Sequence, residues 1–439
     1  MIRGGKSLTS VEHHNFVINL IEGVLYLAGA AFVSGQTVLP ALVSRLGGGN
    51  VAVGSVAVIL WVGLFLPQVF AARFVETLPW KKPWAVWAGA SQRMFILIMA
   101  LSVLVFGERN PSLALLCVLV SFALSQIGLG VTTPGWFDLF AKVSPVGSRA
   151  RLLGLRSSIG GGLSFLGGLA LTWILASLAF PGNYALVFLC SFVLQFLSII
   201  VQSNLVEEEP SKVNARRPLG MYLGQLPQVF RQNKQFRQFM VMSAFLVLAT
   251  MPVGFYTVYA LKRFGGSEAV VGEFTLAMVA VQLVSAFANG YIADHYGHKI
   301  ALVLAAGGLL CASILAIVAP SLSWFTLVYV FLGINLGSEL MLRYNMSIEY
   351  GPVEQRSTYV GLMNTVLAPV YLSSIVGGWM CDQFGYHVVF LLGAAASITG
   401  MTLLIFRVDD PHRSRLMGLE SSSFPHEGDV QTVQIEKEQ

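Results

Sequence analysis

The stretch GYIADHYGHK, from Gly290 to Lys299, lies between two apolar segments of the sequence. One apolar segment runs from Val279 to Phe287 and the other from Ile300 to Val318. Between them the stretch places a carboxylate, two imidazoles, an ammonium group and two glycines. A short polar turn between long apolar segments is typical of a loop at the membrane surface that joins two transmembrane helices.

The composition of the whole chain agrees with this interpretation. The chain has 439 residues, of which 55% are hydrophobic and only 11% are charged, and its mean hydropathy is +0.70. Soluble domains carry about 25% charged residues, and a soluble protein this apolar would expose large adhesive patches. The composition therefore predicts a membrane protein that crosses the bilayer many times.

The sequence contains about twelve apolar spans, each close to the roughly 20 residues that a helix needs to cross the hydrocarbon layer. They predict an all-α membrane protein with about twelve transmembrane helices. Pro252 in the seventh span and Pro369 in the eleventh predict kinks in those helices. We number the spans 1 to 12 in chain order, and they cover residues 17–40, 51–72, 84–106, 112–137, 155–179, 184–203, 237–261, 270–292, 299–319, 322–346, 357–380 and 386–406.

An internal repeat indicates that the chain has two homologous halves. SPVGSRARLLGL at residues 144–155 resembles GPVEQRSTYVGL at residues 351–362, with a constant offset of 207 between the matching residues. The shared proline and arginine lie in a loop, which argues against the alternative of a chance similarity between apolar sequences. The repeat predicts two pseudo-symmetric six-helix bundles, at residues 1–203 and 237–408.

The remaining segments are polar. Residues 204–236 form the longest connection between spans, and their second part has apolar residues at helical spacing. That pattern indicates either an amphipathic helix lying along the membrane surface or a solvated linker. Residues 409–439 form a polar tail that we expect to be disordered.

The basic residues are distributed unevenly between the loops. If the N-terminus is inside, only Arg45, Arg109, Lys262 and Arg263 of the 27 lysines and arginines fall in outer loops. The positive-inside rule therefore predicts that both termini are cytoplasmic and that the chain is a multi-pass protein of the plasma (inner) membrane. This topology accounts for the net charge of +5, and we expect no nucleic-acid partner.

Twelve spans in two halves with a longer central connection resemble the bacterial-type transporters of the major facilitator superfamily. That family has a signature loop between helices 8 and 9, which reads Gly, three residues, Asp, a basic residue, any residue, Gly and further basic residues. Gly290, Asp294, Gly297 and Lys299 match it, and histidines stand at the other basic positions. The resemblance implies the fold of that family, but the signature does not define a substrate.

The signature loop is expected to act as a gate. Gly290 would allow close approach of helix ends, and Gly297 would permit a turn with positive φ. The resemblance implies that Asp294 contacts the start of span 11 near Arg356, and that this contact breaks when the two halves separate on that side. The family's matching loop between helices 2 and 3 is degenerate here, and it keeps only Glu76 and two lysines. The alternative is that these are solvated turn residues.

Ionisable residues inside the spans are candidates for proton coupling, because such groups are costly in a membrane and usually face a cavity or a partner. Glu339 and Arg343 in span 10 are four residues apart and lie on one helix face. They indicate either a protonatable carboxylate modulated by an arginine or a structural ion pair. Glu22 in span 1 is the second candidate, unless it is hydrated near the surface. For Arg93 in span 3 we expect a side chain that extends to the inner interface.

Polar residues near the middle of the spans are candidates for lining a substrate cavity. Each of them is as well suited to a hydrogen bond between helices. The candidates are Asn19, Tyr26, Gln126, Tyr256, Tyr259, Gln282, Asn335 and Asn364.

The sequence contains no motif of an enzyme. It has no phosphate-binding loop with the required lysine and no HExxH motif, and its four cysteines have no ligand spacing. We therefore expect no catalytic residues, cofactor or metal. We predict a monomeric secondary active transporter that works in the lipid bilayer by rocker-switch alternating access, with a small-molecule substrate and protons as the coupling ion.

Three alternatives to this function remain open. The first is a non-transporting sensor or scaffold with the same fold, and the second is a lipid-handling protein. The third lies within the transporters, where an exporter of amphipathic compounds competes with an importer of a polar nutrient. An aromatic cavity would favour the exporter, and paired fixed charges would favour the importer.

Overall fold

A computed structural model describes residues 9–211, 230, 233–351 and 356–410. Within these ranges the chain is helical, and every predicted span is present as one or two helices. In chain order the helices are Ser10–Ala30 and Val38–Arg45 (span 1), Asn50–Val75, Lys82–Phe106, Pro111–Val143, Val146–Ser177, Gly182–Gln202, Lys234–Ala249 and Val253–Phe264 (span 7), Ala269–Tyr296, His298–Val318, Leu322–Leu336 and Glu339–Glu349 (span 10), Arg356–Leu367 and Ser373–Phe384 (span 11), and Tyr386–Arg407.

The prediction of an all-α membrane protein is confirmed. Among the described residues, 11 helical segments are long and apolar enough to cross a membrane. They correspond to spans 2 to 12. Span 1 is not among them, because its first helix carries several polar side chains and its second helix has only 8 residues. The chain is therefore a multi-pass membrane protein.

Four of the spans, as far as the structure describes them, are broken near their middle. The helices of span 7 are separated before Val253, next to Pro252, and span 11 contains a 3-10 turn at Ala368–Leu372 that includes Pro369. Both kinks were predicted from the prolines. Spans 1 and 10 are also divided; Pro40 lies in the first turn of the second helix of span 1, whereas span 10 contains no proline.

The spans pack as two groups that meet along two seams. Spans 1 to 6 contact one another, and so do spans 7 to 12. Span 2 packs against span 11, and span 5 packs against span 8. Gly272 allows the second seam to close, because a Cβ there would lie 2.4 Å from the Cα of Thr172.

The loops lie at two ends of the bundle, which we name for the description that follows. The signature end carries residues 290–299 together with residues 9 and 410, the first and last that the structure describes, and the opposite end carries residues 46–49, 265–268 and 385. The predicted surface helix and the tail lie almost entirely outside the described residues. The division of the chain at residues 204–236 and 409–439 therefore stays a prediction.

Candidate functional site

A cluster of polar side chains is buried where spans 1, 3, 5 and 6 meet. Glu22 Oε2 lies 2.9 Å from Arg156 Nη1, and the same nitrogen donates to the Asn19 carbonyl at 2.9 Å. Gly23 makes this arrangement possible, because a Cβ there would lie 2.0 Å from Arg156 Nε. The guanidinium also lies over the Trp136 ring, 4.8 Å from its centroid. We call the following residues the first polar cluster: Asn19, Glu22, Tyr26, Arg93 and Arg156.

Arg93 is held inside this cluster by neutral groups. Its Nε donates to the Gln195 carbonyl at 2.6 Å, and its Nη1 donates to the Gly89 carbonyl at 2.8 Å. Its Nη2 donates to Ser198 Oγ at 3.2 Å, and its guanidinium lies 5.3 Å from the Tyr26 ring centroid. The residue is only 4% exposed. The prediction that Arg93 extends to the membrane interface is wrong, because these buried acceptors satisfy the guanidinium where it stands.

The first polar cluster carries more positive than negative charge. It contains two guanidinium groups, Arg93 and Arg156, and one carboxylate, Glu22. The carboxylate side chain is only 3% exposed, so the alternative that it is simply hydrated does not hold. The Asn19 side-chain nitrogen is buried and has no acceptor in the described part of the chain. An excess of buried positive charge beside an unused donor is suited to an anion.

A second polar cluster lies in span 10. Arg343 Nε is 2.6 Å from Glu339 Oε1, and Arg343 Nη2 donates to Glu339 Oε2 at 3.3 Å. Glu339 is the first residue of the helix after the break in span 10, where the helix dipole favours a carboxylate. Arg343 also lies close to Tyr371, and Asn364 lies close to Tyr344. The cluster therefore joins spans 10 and 11.

Tyr371 connects the second polar cluster to the other half of the molecule. Its ring stacks on Trp61 of span 2 at 5.4 Å between centroids, and it lies 6.3 Å from the Phe65 ring. The 3-10 turn of span 11 contains Tyr371. A change in the ion pair of Glu339 and Arg343 would thus alter the packing of Tyr371 at the seam between spans 2 and 11.

Several of the residues predicted to line a cavity instead form hydrogen bonds with other residues of their own half. The Tyr256 and Ser313 hydroxyls are 2.8 Å apart, and Tyr259 Oη lies 3.0 Å from His387 Nε2. Asn335 donates to the Ala305 carbonyl at 3.1 Å. These contacts match the alternative of hydrogen bonds between helices.

Two glutamines among the cavity candidates are less enclosed. Gln126 and Gln282 are half-buried. The Gln126 side-chain oxygen has no hydrogen-bond partner among the residues described. Gln126 faces span 2, since its Cβ would lie 3.0 Å from a Cβ added to Gly63. It remains a candidate for lining a cavity between spans 2 and 4.

The signature loop has the predicted turn but not all of the predicted contacts. Gly297 has φ +100° and separates spans 8 and 9, as a positive-φ glycine should. No atom lies within 4 Å of a Cβ added to Gly290, so the expected close approach of helices is absent there among the described residues. Lys299 Nζ donates to the carbonyls of Ile405 and Val408, both at 2.9 Å, at the end of span 12.

The predicted gate contact of Asp294 involves a partner whose side chain lies outside the described residues, so it stays a prediction. Asp294 is exposed and makes no hydrogen bond or ion pair with the residues that the structure describes. Arg356 begins the first helix of span 11, but its side chain lies outside the described part of the chain. Glu76 ends span 2 and is exposed as well.

The opposite end, by contrast, is closed by polar contacts between the halves. Asn50 Nδ2 donates to Asp382 Oδ1 at 2.6 Å, and the Tyr386 hydroxyl donates to Asn50 Oδ1 at 2.6 Å. Arg45 Nε lies 3.1 Å from Glu268 Oε1. Deeper in the bundle the Thr37 and Thr275 hydroxyls are 2.6 Å apart. Arg73 apart, no comparable hydrogen bond joins the halves at the signature end within residues 9–211, 233–351 and 356–410.

Sequence reasoning did not place Arg156 in the site, and it assigned no role to span 6. One signal was available, because Ser191, Gln195 and Ser198 recur at helical spacing in that span and form a polar stripe. The partner of Arg156 was not deducible, since four spans must come together to form the cluster.

A family model described as the Major Facilitator Superfamily matches residues 24–370 and 241–428. The 4-hydroxybenzoate transporter PcaK of Acinetobacter baylyi is 28% identical over 171 residues, which is 37% of this chain and 36% of that protein. The niacin transporter NiaP of the same organism is 24% identical over 125 residues, 28% of each chain. The matches thus span about a third of the length of these relatives.

Solved transporters share the fold. A D-xylose–proton symporter superposes with a TM-score of 0.66 at 14% identity, and the match covers 92% of this chain and 99% of the symporter. The nucleoside transporter NupG gives a TM-score of 0.63 at 14% identity, and the match covers 91% of this chain and 100% of that structure. At these identities the likeness concerns the fold alone.

Proposed function

Because this chain belongs to the Major Facilitator Superfamily, we propose that it is a secondary active transporter of small aromatic carboxylates. It moves its substrate across the plasma membrane by rocker-switch alternating access, in which the two halves rock about a central site. The signature end is cytoplasmic in this proposal, as the distribution of basic residues predicts.

The observation that carries the proposal is the charge of the first polar cluster. The hydrogen-bond acceptors of Arg93 are all neutral, and the one carboxylate near it, Glu22, is paired with Arg156. Buried charge in a membrane protein is costly unless it is compensated. A substrate carboxylate would supply the missing negative charge and would also accept from the unused Asn19 nitrogen.

The aromatic part of the substrate has suitable surroundings. Tyr26 and Trp136 already lie against the two guanidinium groups, and an aromatic ring of the substrate can pack among them. The two relatives named above transport 4-hydroxybenzoate and niacin. Both compounds combine one aromatic ring with one carboxylate, which is the chemistry that the cluster would recognise.

We place proton coupling at Glu339, with Glu22 as the second candidate. Glu339 is buried beside Arg343, and through Tyr371 this pair reaches the seam between the halves. Protonation of Glu339 would weaken the ion pair and free Arg343 and Tyr371 to rearrange. Proton binding and release at Glu339 would thereby be coupled to the rocking of the two halves.

The closed opposite end and the exposed Asp294 support an inward-facing state. In that state the substrate would leave toward the cytoplasm. Asp294 and the start of span 11 would then come together only when the signature end closes. We therefore propose the gate contact for the outward-facing state, in which the signature end is closed.

The test is uptake of radiolabelled 4-hydroxybenzoate into proteoliposomes that contain the full chain, driven by an inward proton gradient. Unlabelled benzoate and nicotinate should compete with the labelled substrate, whereas benzamide, nicotinamide and xylose should not. The amides keep the ring and remove the charge, so they isolate the role of the carboxylate. Equal competition by acids and amides, or no saturable uptake of any of the acids, would refute the proposal.

A further inference from the structure

Three of the eight tryptophans of the chain fall within eight residues at the start of span 3, in the stretch WKKPWAVW at residues 80–87. Trp80 and Trp87 are exposed, with 42% and 76% of their surface free. Trp84 is half-buried, and its Nε1 donates to the Val131 carbonyl at 3.3 Å. Indole rings collect at the boundary between the hydrocarbon layer and the headgroups of a bilayer. These rings therefore indicate that the start of span 3 lies at that boundary.

A cavity of about 710 Å³ lies between the start of span 3 and the end of span 6. Trp80, Lys82 and Trp87 line it on the side of span 3, and residues 203–207 line it on the side of span 6. Small-molecule sites usually have volumes of about 300–1,000 Å³, so the cavity has the size of a binding site. Because its two indoles are exposed, it can be reached from the membrane surface.

Lys82 brings an unused positive charge to this cavity. The residue is half-buried, and its ammonium makes no hydrogen bond or ion pair with the part of the chain that the structure describes. Lys299, at the start of span 9 in the other half, differs from it. The Lys299 ammonium donates to the carbonyls of Ile405 and Val408, both at 2.9 Å. Lys82 is therefore free to bind an anionic group such as a phosphate.

Glu207 also lines the cavity, but its negative charge is already compensated. Its Oε1 lies 2.8 Å from the Lys142 ammonium, and its Oε2 accepts from the backbone nitrogen of Lys82 at 2.9 Å. Its side chain is only 3% exposed. The Lys142 ammonium also lies 5.3 Å from the centroid of the Trp80 ring, so the pair holds that indole in place. Glu207 thus shapes the cavity without opposing an anion at Lys82.

Two uncompensated carboxylates follow directly after Glu207. Glu208 and Glu209 are exposed, and neither forms an ion pair with a residue in the described ranges. The chain then returns to the start of span 3, where the Ser211 nitrogen donates to the Pro79 carbonyl at 2.7 Å. This turn keeps the two carboxylates beside the cavity. A positive charge inside the cavity with negative charges at its edge is complementary to a zwitterion.

We propose that this cavity binds a membrane phospholipid whose headgroup carries a primary ammonium, of the phosphatidylethanolamine class. The phosphate binds the Lys82 ammonium, and the ethanolamine ammonium lies toward Glu208 and Glu209. The exposed indoles of Trp80 and Trp87 pack against the glycerol backbone, where one end of an indole is in an apolar environment and the other is near water. The two acidic residues disfavour a phospholipid that has a net negative charge.

The acyl chains have an apolar path that begins at the cavity. Met94, Ile98 and Leu101 are exposed, and they follow Trp87 along one face of span 3 at helical spacing. The headgroup contacts span 3 and the segment after span 6 together. A bound lipid should therefore stabilise the folded first half.

The experiment measures thermal unfolding of the full chain in detergent as soluble dioctanoyl lipids are added. A ligand that binds the folded state raises the Tm saturably. Phosphatidylethanolamine should bind with a Kd about tenfold or more below those of phosphatidylglycerol and phosphatidylcholine. The first of these competitors has no ammonium, and the ammonium of the second cannot donate a hydrogen bond. Glycerophosphoethanolamine has the headgroup without acyl chains and should leave the Tm unchanged.

Three variants locate the site. K82Q should raise the Kd for phosphatidylethanolamine about tenfold or more, because the phosphate loses its charged partner. K234Q is the matched control and should keep the Kd of the wild type, since Lys234 is an exposed lysine that begins span 7 and lies outside the cavity. The double variant E208Q/E209Q should remove the preference for phosphatidylethanolamine over phosphatidylglycerol.

The proposal is overturned if phosphatidylglycerol, phosphatidylcholine or glycerophosphoethanolamine binds the wild type as tightly as phosphatidylethanolamine. It is also overturned if K82Q keeps the Kd of the wild type, or if K234Q weakens binding as much as K82Q. If K82Q does not fold, the double variant decides the question, because both glutamates are exposed. An unchanged lipid preference in that variant refutes the site. The measurement involves no transported substrate, so its outcome is separate from that of the proposed function.

Discussion

At the scale of single residues, two buried arginines of the first half have different surroundings. Arg156 is paired with Glu22 and packs on Trp136, so its charge is already compensated. Arg93 is surrounded by carbonyl and hydroxyl oxygens. Neutral acceptors satisfy its hydrogen bonds but leave its charge available to a bound anion.

The variant R93Q should therefore bind substrate weakly. We expect the KM for an aromatic carboxylate to rise at least tenfold, which corresponds to about 1.4 kcal/mol of lost binding. R93K keeps the charge and is the matched control, and it should retain more of the affinity than R93Q. Uptake kinetics in proteoliposomes measure both variants, and an unchanged KM in R93Q would show that the charge has no part in binding.

Glu339 is the residue at which we propose that a proton alters the coupling between the halves. E339Q preserves the shape of the side chain and removes its charge, so the state of the ion pair no longer depends on a proton. We expect accumulation driven by a pH gradient to fall about tenfold or more, while exchange of substrate without a gradient persists. E22Q is the comparison, because it neutralises the second candidate. Full gradient-driven uptake by E339Q would remove Glu339 from the mechanism.

At the scale of elements, the turn between spans 8 and 9 depends on one of its two glycines. Gly297 has φ +100° and ψ 154°, a conformation that side chains with a Cβ rarely adopt. Gly290 lies in the helix Ala269–Tyr296, with open space where a Cβ would be. The signature pattern treats the two glycines alike, but the structure gives them different requirements.

Alanine substitution should separate them. G297A should destabilise the protein by about 1–3 kcal/mol, because the backbone conformation becomes strained. G290A should be neutral or stabilising by up to about 1 kcal/mol, since alanine favours a helix. Unfolding in detergent compares the two variants, and equal losses of stability would contradict this interpretation of the turn.

The gate contact is also a property of these elements, and it should be unequal in the two halves. The first-half loop keeps Glu76 but lacks the glycines of the signature. We expect D294N to lower the turnover of transport several-fold at normal expression, because the closed signature end loses a contact. E76Q should lower it less. Normal turnover in D294N, measured as initial uptake rates, would exclude the gate role.

Features of these elements that depend on neighbouring residues could be predicted from the sequence, and features that depend on residues far apart in the chain could not. The spans and the kinks at Pro252 and Pro369 were predictable, because hydropathy and proline act locally. The burial of Arg93 was not, since a lone arginine in a span either reaches the interface or finds partners on other helices. Its partner span 6 is about one hundred residues away in sequence, as the separation of 102 between Arg93 and Gln195 shows.

At the scale of the whole molecule, the two ends differ in how the halves meet. The opposite end is joined by hydrogen bonds between side chains of both halves, and Asn50 is central to them because it both donates and accepts. The pair of Arg45 and Glu268 is more exposed, so it contributes less. The balance between the two states of the transporter should thus depend strongly on Asn50.

N50A should shift this balance toward the state that is open at the opposite end. The substitution removes the hydrogen bonds of Asn50 to Asp382 and Tyr386, at a cost of about 1–3 kcal/mol to the closed end. Every 1.4 kcal/mol changes the population ratio about tenfold.

The exposed pair Arg109 and Ser323 can carry spin labels at the opposite end, and Ser203 and His295 can carry them at the signature end. In a cysteine-free background, N50A should lengthen the first distance and shorten the second. R45A is the matched control and should change both distances less. If both distances stay as in the parent, the hydrogen bonds of Asn50 do not set the conformational balance.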